Sequence, residues 1–186
     1  MFPPVKIVSG GLEIREFGPP DAAQVTALVA AGDRTALPPG SPGDVADVDR
    51  WLAETVHQRR LDGAGVHLTI VETASGEFVG SVGLRDTDWA AGTTEIGYGV
   101  RAGRRGRGYA TGAARAVGRW ALVDGGMRRV QLHARLDNVA SVRVAERAGY
   151  QREGTLRMAV WDGEKAHDLA VFSMIAIDLE AAEAAR

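Results

Sequence analysis

Three glycines and four arginines crowd the eleven residues Val100-Arg101-Ala102-Gly103-Arg104-Arg105-Gly106-Arg107-Gly108-Tyr109-Ala110. Thr94 to Val100, immediately before, reads as a strand. From about Ala110 to Val123, Ala113, Ala114, Val117, Trp120 and Ala121 recur at helical spacing. The chain must therefore accommodate a strand, a glycine-rich turn and a helix in direct succession. Glycine lets the backbone turn so that successive N–H groups face one hollow, and the helix adds its unpaired N-terminal donors and the positive end of its dipole. A pyrophosphate suits such a hollow. Neither G-x-G-x-x-G nor G-x-x-x-x-G-K-[ST] can be read in the segment, which weakens a dinucleotide or ATP site.

Composition removes several function classes. The 186 residues fit one domain, and 45% hydrophobic with 25% charged residues is ordinary for a folded chain. With no cysteine there are no disulfides, thiolate metal sites or cysteine nucleophiles, and His57, His67, His133 and His167 form no metal-ligand spacing, so no metal is expected. No apolar run approaches a membrane span and Met1 to Gly10 lacks a secretion signal, so a soluble cytoplasmic protein is expected. The net charge of −2 argues against a nucleic-acid partner. Residues 1–93 hold 7 Lys/Arg against 13 Asp/Glu, and residues 94–186 hold 15 against 11, so positive charge gathers around the glycine loop. A small phosphorylated ligand fits that distribution better than a long polyanion.

Alternation and breakers predict seven strands: Leu12 to Phe17, Val66 to Glu72, Phe78 to Arg85, Thr94 to Val100, Val130 to Leu136, Gln151 to Val160 and Lys165 to Ile177. Asp21 is placed to cap a helix carrying Val25, Leu28 and Val29. Ser41, Pro42 and Asp44 open a second one with Val45, Val48, Leu52 and Val56 on one face. Asn138 can cap a short helix ending near Ala148-Gly149, and an Ala/Glu tail closes the chain. The fourth and fifth strands are joined through a helix and should run parallel. The result is a single mixed α/β (α+β) domain over residues 1–186, with its core in 12–177 and one central sheet.

Two motifs carry a resemblance. Arg105-Gly106-Arg107-Gly108-Tyr109-Ala110 reads R-x-x-G-x-A, and Asn138-Val139-Ala140-Ser141 with Glu146-Arg147-Ala148-Gly149-Tyr150 reads N-x-x-S-x-x-x-x-E-x-x-G-[FY]. In this order and separation they resemble the GNAT acetyltransferases. Glu95-Ile96-Gly97-Tyr98 resembles the branch that includes the ribosomal-protein-alanine N-acetyltransferases. The resemblance spans about Leu12 to Ile177. It implies a mostly antiparallel seven-stranded sheet, flanked by helices and splayed between strands 4 and 5. It also implies acetyl-CoA as co-substrate, and a primary amine, on a small molecule or a protein N-terminus, as acceptor. Amides of Arg105, Gly106, Arg107, Gly108, Tyr109 and Ala110 would take the pyrophosphate, while Tyr98, Val100, Asn138 and Ser141 would meet the pantetheine arm. Asn138 is equally suited to a purely capping role. A homodimer is compatible with the family, although no sequence feature calls for one.

Transfer from a thioester needs a neutral amine, whereas an amine near the lysine reference value of about 10.4 is mostly protonated at neutral pH. Glu95, on the strand before the loop, is the candidate base, with partnership to an arginine as its alternative. Ser141 is the candidate proton donor to the departing thiolate, with a first-turn serine satisfying backbone groups as its alternative. Direct attack in a ternary complex is expected, since cysteine is absent. An acyl-CoA-binding regulatory module without turnover is the alternative function.

Overall fold

The computed structural model describes residues 1–184, and the fold is one eight-stranded sheet in the order β1-β2-β3-β4-β5-β6-β8-β7. The strands are β1 (Lys6–Ser9), β2 (Leu12–Glu16), β3 (Val66–Glu72), β4 (Glu77–Asp88), β5 (Thr93–Val100), β6 (Arg129–Arg135), β7 (Gln151–Asp162) and β8 (Lys165–Ile175). The helices are α1 (Ala22–Ala30), α2 (Val48–Ala53), α3 (Gln58–Leu61), α4 (Tyr109–Val123), α5 (Val139–Ala148) and α6 (Ala176–Ala184). All seven expected strands are present. The eighth, β1, escapes the sequence reading because it is four residues long and follows two prolines. It pairs with β2 across Gly10-Gly11, both at positive φ, and Phe2 and Val5 before it enter the core.

Period-two patterning explains the two layers. Val66, Leu68 and Ile70 of β3, Val82 and Leu84 of β4 and Ile96 of β5 share a buried cluster with Ala113, Ala114, Val117 and Ala121 of α4. Alanine at these helix positions lets α4 lie close to the sheet. A second cluster joins Val25, Leu28 and Val29 of α1 and Trp51 and Leu52 of α2 to Phe17 and Phe78 on the sheet's other side. Between these helices and β6, the same side of the sheet carries small and polar residues. In the register His67↔Gly83↔Gly97 and Thr69↔Ser81↔Gly99, β3, β4 and β5 lay out a shallow floor.

Two local expectations are corrected. Asp21 does not cap α1 through its side chain; its buried carboxylate accepts from Gly18 N at 2.9 Å and from Arg15 Nη1 and Nη2 at 2.7 and 2.9 Å. The second predicted helix is broken into α2 and α3 by short 3-10 turns and the non-helical Glu54, and Val45 is exposed rather than buried. The terminal Ala/Glu tail begins as α6. Among the described residues no helix is long and apolar enough to cross a membrane.

β5 and β6 are parallel and pair only at Thr93↔Arg129, Thr94↔Val130 and Glu95↔Gln131. Beyond Glu95 they part, and β6 continues in register with β8 to Arg135. The sheet is thus splayed where the glycine loop and the start of α5 converge.

Candidate active site

The splay is bordered by two cavities, of about 510 and 490 Å³, each of a size to take a small-molecule ligand. The first lies over the glycine loop and α5. Gly106 and Gly108 adopt φ of +77° and +83°, a left-handed geometry that favours glycine, and Gly108 is the N-cap of α4 with no side-chain cap. The amides of Gly106, Arg107, Gly108, Tyr109, Ala110 and Thr111 donate to no acceptor among the described residues; the first bond of the ladder is Gly112 N to Gly108 O, at 2.9 Å. These amides lie in sequence at a helix start on the rim of a cavity, a preformed anion cradle.

The arginines divide into two groups. Glu77 takes Arg101 Nη1 at 2.9 Å and Arg104 Nε at 3.0 Å, so half of the loop's cluster braces the turn. Arg105 donates through Nε to Val100 O at 3.1 Å and lines the cavity. Arg107 does not line the hollow, although its amide too is without an acceptor among the described residues. Arg143 and Arg147 do line it, on one face of α5 at i and i+4, and no ion pair reaches either side chain among the described residues. The sequence reading missed both; their spacing after the Asn138 cap was the available signal.

The remaining expected residues gather at one point. Asn138 caps α5, accepting from Ser141 N at 3.1 Å, so its capping reading is observed, and it also lines the first cavity. Ser141 Oγ lies 3.0 Å from Tyr98 Oη, which is half-buried; burial raises the Tyr98 phenol and Ser141 partly offsets it. Val100 and Tyr98 lie on the β5 stretch that has parted from β6. Thr35, Tyr98, Gly99 and Ser141 line both cavities, so the two join at this hydroxyl pair. Tyr109 and Tyr150 are occupied elsewhere: Tyr109 Oη donates to Glu72, and Tyr150, 3% exposed, donates to Ala114 O at 3.2 Å with its phenol raised by burial.

The second cavity is lined by Arg59, His67, Ser81, Arg85 and His133 among others. Glu95 lies behind it. One oxygen of its carboxylate pairs with Arg85 Nη2 and the other with His133 Nδ1 at 2.9 Å. The arginine partnership foreseen as the alternative for Glu95 therefore exists. The acidic residues Asp44, Asp47, Asp49 and Glu54 line neither cavity.

His67 carries a prediction. Burial, aided by the charge of Arg59, pushes its imidazole down to about 4 from the ordinary 6.5, so it is neutral in the folded protein at neutral pH. Between those two values the unfolded chain takes up a proton that the folded chain does not. Stability therefore falls as pH drops through this window, by up to about 3 kcal/mol. Chemical denaturation at pH 7 and pH 4.5 should show His67→Asn losing about 2 kcal/mol less than the parent protein. Equal losses in both would exclude His67 as the source.

Sequence and fold comparisons agree with this geometry. Residues 12–151 match the family model described as acetyltransferase (GNAT) domain. The chain is 25% identical over 130 residues, covering 68% of this chain and 71% of the other, to the uncharacterized N-acetyltransferase p20 of Bacillus licheniformis. The microcin C7 self-immunity acetyltransferase MccE, solved with acetyl-CoA and AMP, superposes with a TM-score of 0.75 at 20% identity, covering 90% of this chain and 93% of its own. The ribosomal L7/L12 alpha-N-protein acetyltransferase RimL, solved with coenzyme A, gives 0.74 at 21% identity over 91% and 96%. With a splayed sheet, an amide cradle and a family match over most of its length, this chain belongs to the GNAT acetyltransferase family.

Proposed function

We propose that the protein transfers an acetyl group from acetyl-CoA to a primary amine, on a small molecule or a peptide N-terminus, by direct attack in a ternary complex. The observation that carries this reading is the meeting of two cavities at Ser141 and Tyr98: one has a phosphate cradle, the other is polar and open to an acceptor. A binding module without turnover would need only the first.

The residues present suit the co-substrate. The unpartnered amides from Gly106 to Ala110 hold the pyrophosphate, with Arg105 beside them. Arg143 and Arg147, which have no ion pair among the described residues, take the 3′-phosphate. Tyr98 and Val100 offer the pantetheine arm the strand edge that β6 has left, and Asn138 closes the cradle from α5. Bound there, acetyl-CoA supplies an activated thioester carbonyl. On this reading the amine proton leaves toward the Glu95–His133 pair, and the Ser141 hydroxyl, hydrogen-bonded with Tyr98, protonates the departing sulfur; the two contacts support these roles. Of the structural neighbours, RimL is an alpha-N-protein acetyltransferase, which supports a peptide N-terminus as one acceptor class.

Calorimetric titration with CoA, dephospho-CoA, ATP and NAD, followed by thiol release across a panel of peptide and small-molecule amines, tests the proposal. CoA should bind most tightly and at least one amine should release thiol. Arg143→Ala/Arg147→Ala should weaken CoA about tenfold or more while leaving dephospho-CoA unchanged, as expected when a charged hydrogen bond worth about 1.5–3 kcal/mol is lost. Tighter binding of ATP, or no turnover with any amine, would overturn it.

A further inference from the structure

We infer that the group receiving the amine proton is His133 Nε2, and that Glu95 is the positioning residue behind it; this rests on the acetyl-transfer reading. Both oxygens of Glu95 are engaged, one by Arg85 and the other by His133 Nδ1 at 2.9 Å, and its side chain is 13% exposed. Glu95 does not line the acceptor cavity, whereas His133 does, alongside Ser141. With each oxygen already accepting from a donor and the carboxylate outside the cavity lining, Glu95 has no contact with a bound amine. It is well suited to hold an imidazole with the proton on Nδ1. Nε2 then carries the free lone pair, and it has no partner among the described residues.

The placement follows from the splay. Pairing of β5 with β6 ends at Glu95↔Gln131, and His133, two residues further along β6 and on the same face as Gln131, lies beyond the last pair and lines the acceptor cavity. The charged and titratable groups that line the cavity with His133 are Arg85 and Asp86 from β4, Arg59 from α3, the neutral His67 from β3 and Tyr98 from β5, and Arg135 follows on the same face of β6. None of them bonds Nε2. In the step itself the amine nitrogen forms a bond to the acetyl carbon and the carbon–sulfur bond breaks. The amine proton passes to His133 Nε2, and Ser141 Oγ gives its proton to the sulfur. Solvent then returns the imidazolium proton to Ser141, which restores both groups.

Two-bond proton–nitrogen correlation spectra of ¹⁵N-labelled protein with CoA, assigned by the signals lost in His133→Gln, report the tautomer directly. The expected result is Nδ1 protonated and Nε2 bare, with that preference lost in Glu95→Gln. With the best amine of the panel, His133→Ala should lower kcat by about 10²–10³-fold with unchanged KM for acetyl-CoA, and added 4-methylimidazole should restore part of the rate. Glu95→Gln should cost about tenfold, as expected when about 1.4 kcal/mol of orientation is lost. A proton on Nε2, or a Glu95→Gln protein that is inactive while His133→Ala is active, would overturn the assignment and return the base to Glu95. Failure of the parent protein to bind CoA is read separately, by calorimetry, and would remove the acetyl-transfer reading itself.

Discussion

Replacing Gly108 by valine should lower the affinity for CoA by at least about 100-fold, or roughly 2.7 kcal/mol, while the protein still folds. The two effects separate because of what surrounds the residue. Gly108 lies at φ +83°, where a β-branched side chain is strained by about 1–2 kcal/mol, enough to lower the melting temperature by several degrees without unfolding a chain of this size. A Cβ built on Gly108 meets no protein atom within 4 Å, so the cost in packing is small. Gly108 lines the hollow beside the free amides, so added branches are expected to take up room there and to keep a pyrophosphate from the helix start. Gly103 is the control. It also has open space around it but has no left-handed φ and does not line the cavity, so Gly103→Ala should bind CoA as the parent does. Calorimetry on all three proteins decides the matter. If Gly108→Val binds within about threefold of the parent, the amides are not the phosphate cradle.

That loop was legible in the sequence because its chemistry is local. Glycine at a left-handed position, an N-cap without a side chain and orphan amides are all properties of consecutive residues, so the motif and its geometry coincide. The same holds for α5, where Asn138 and Gly149 mark the two ends found in the structure. The strands were legible where alternation ran for five residues or more, and β1 was lost because four residues after a proline pair carry too little pattern. The break between α2 and α3 was hidden for a different reason. Val48, Leu52 and Val56 continue the helical period across Glu54, and all three are buried even though the backbone between them is not one helix. Least legible was the acceptor side. Glu95 could be singled out by its place before the loop, but its partners Arg85 and His133 are 10 and 38 residues away. Only the antiparallel register of β4 with β5 and the three-residue parallel pairing of β5 with β6 bring them together. Register across a splay depends on where two strands part, and no local pattern in either strand states that.

The glycines of β4 and β5 extend this point to stability, and Gly80→Ala carries the second large expectation: a loss of about 3 kcal/mol or more in unfolding free energy, and a melting temperature lower by about 6–12 °C. Gly80 faces Val100 across the antiparallel pair, and a Cβ added there would fall well inside van der Waals contact distance of the Gly99 carbonyl oxygen, with the Val100 Cα at 3.1 Å. All of these are backbone atoms, so relief requires moving a strand rather than rotating a side chain. The strand that would move is the one carrying Tyr98 and Val100 along the first cavity, so under the proposed function Gly80→Ala should weaken CoA as well. Gly97, also on β5, opposes Gly83 and has nothing within 4 Å of an added Cβ. Gly97→Ala should therefore leave unfolding unchanged within about 0.5 kcal/mol and affect only the acceptor, whose cavity it lines. Thermal melts and denaturant titrations of the two variants provide the comparison. Should Gly80→Ala and Gly97→Ala melt together, the close packing of β4 on β5 would not be what holds the free strand edge in position, and the splay would need another support.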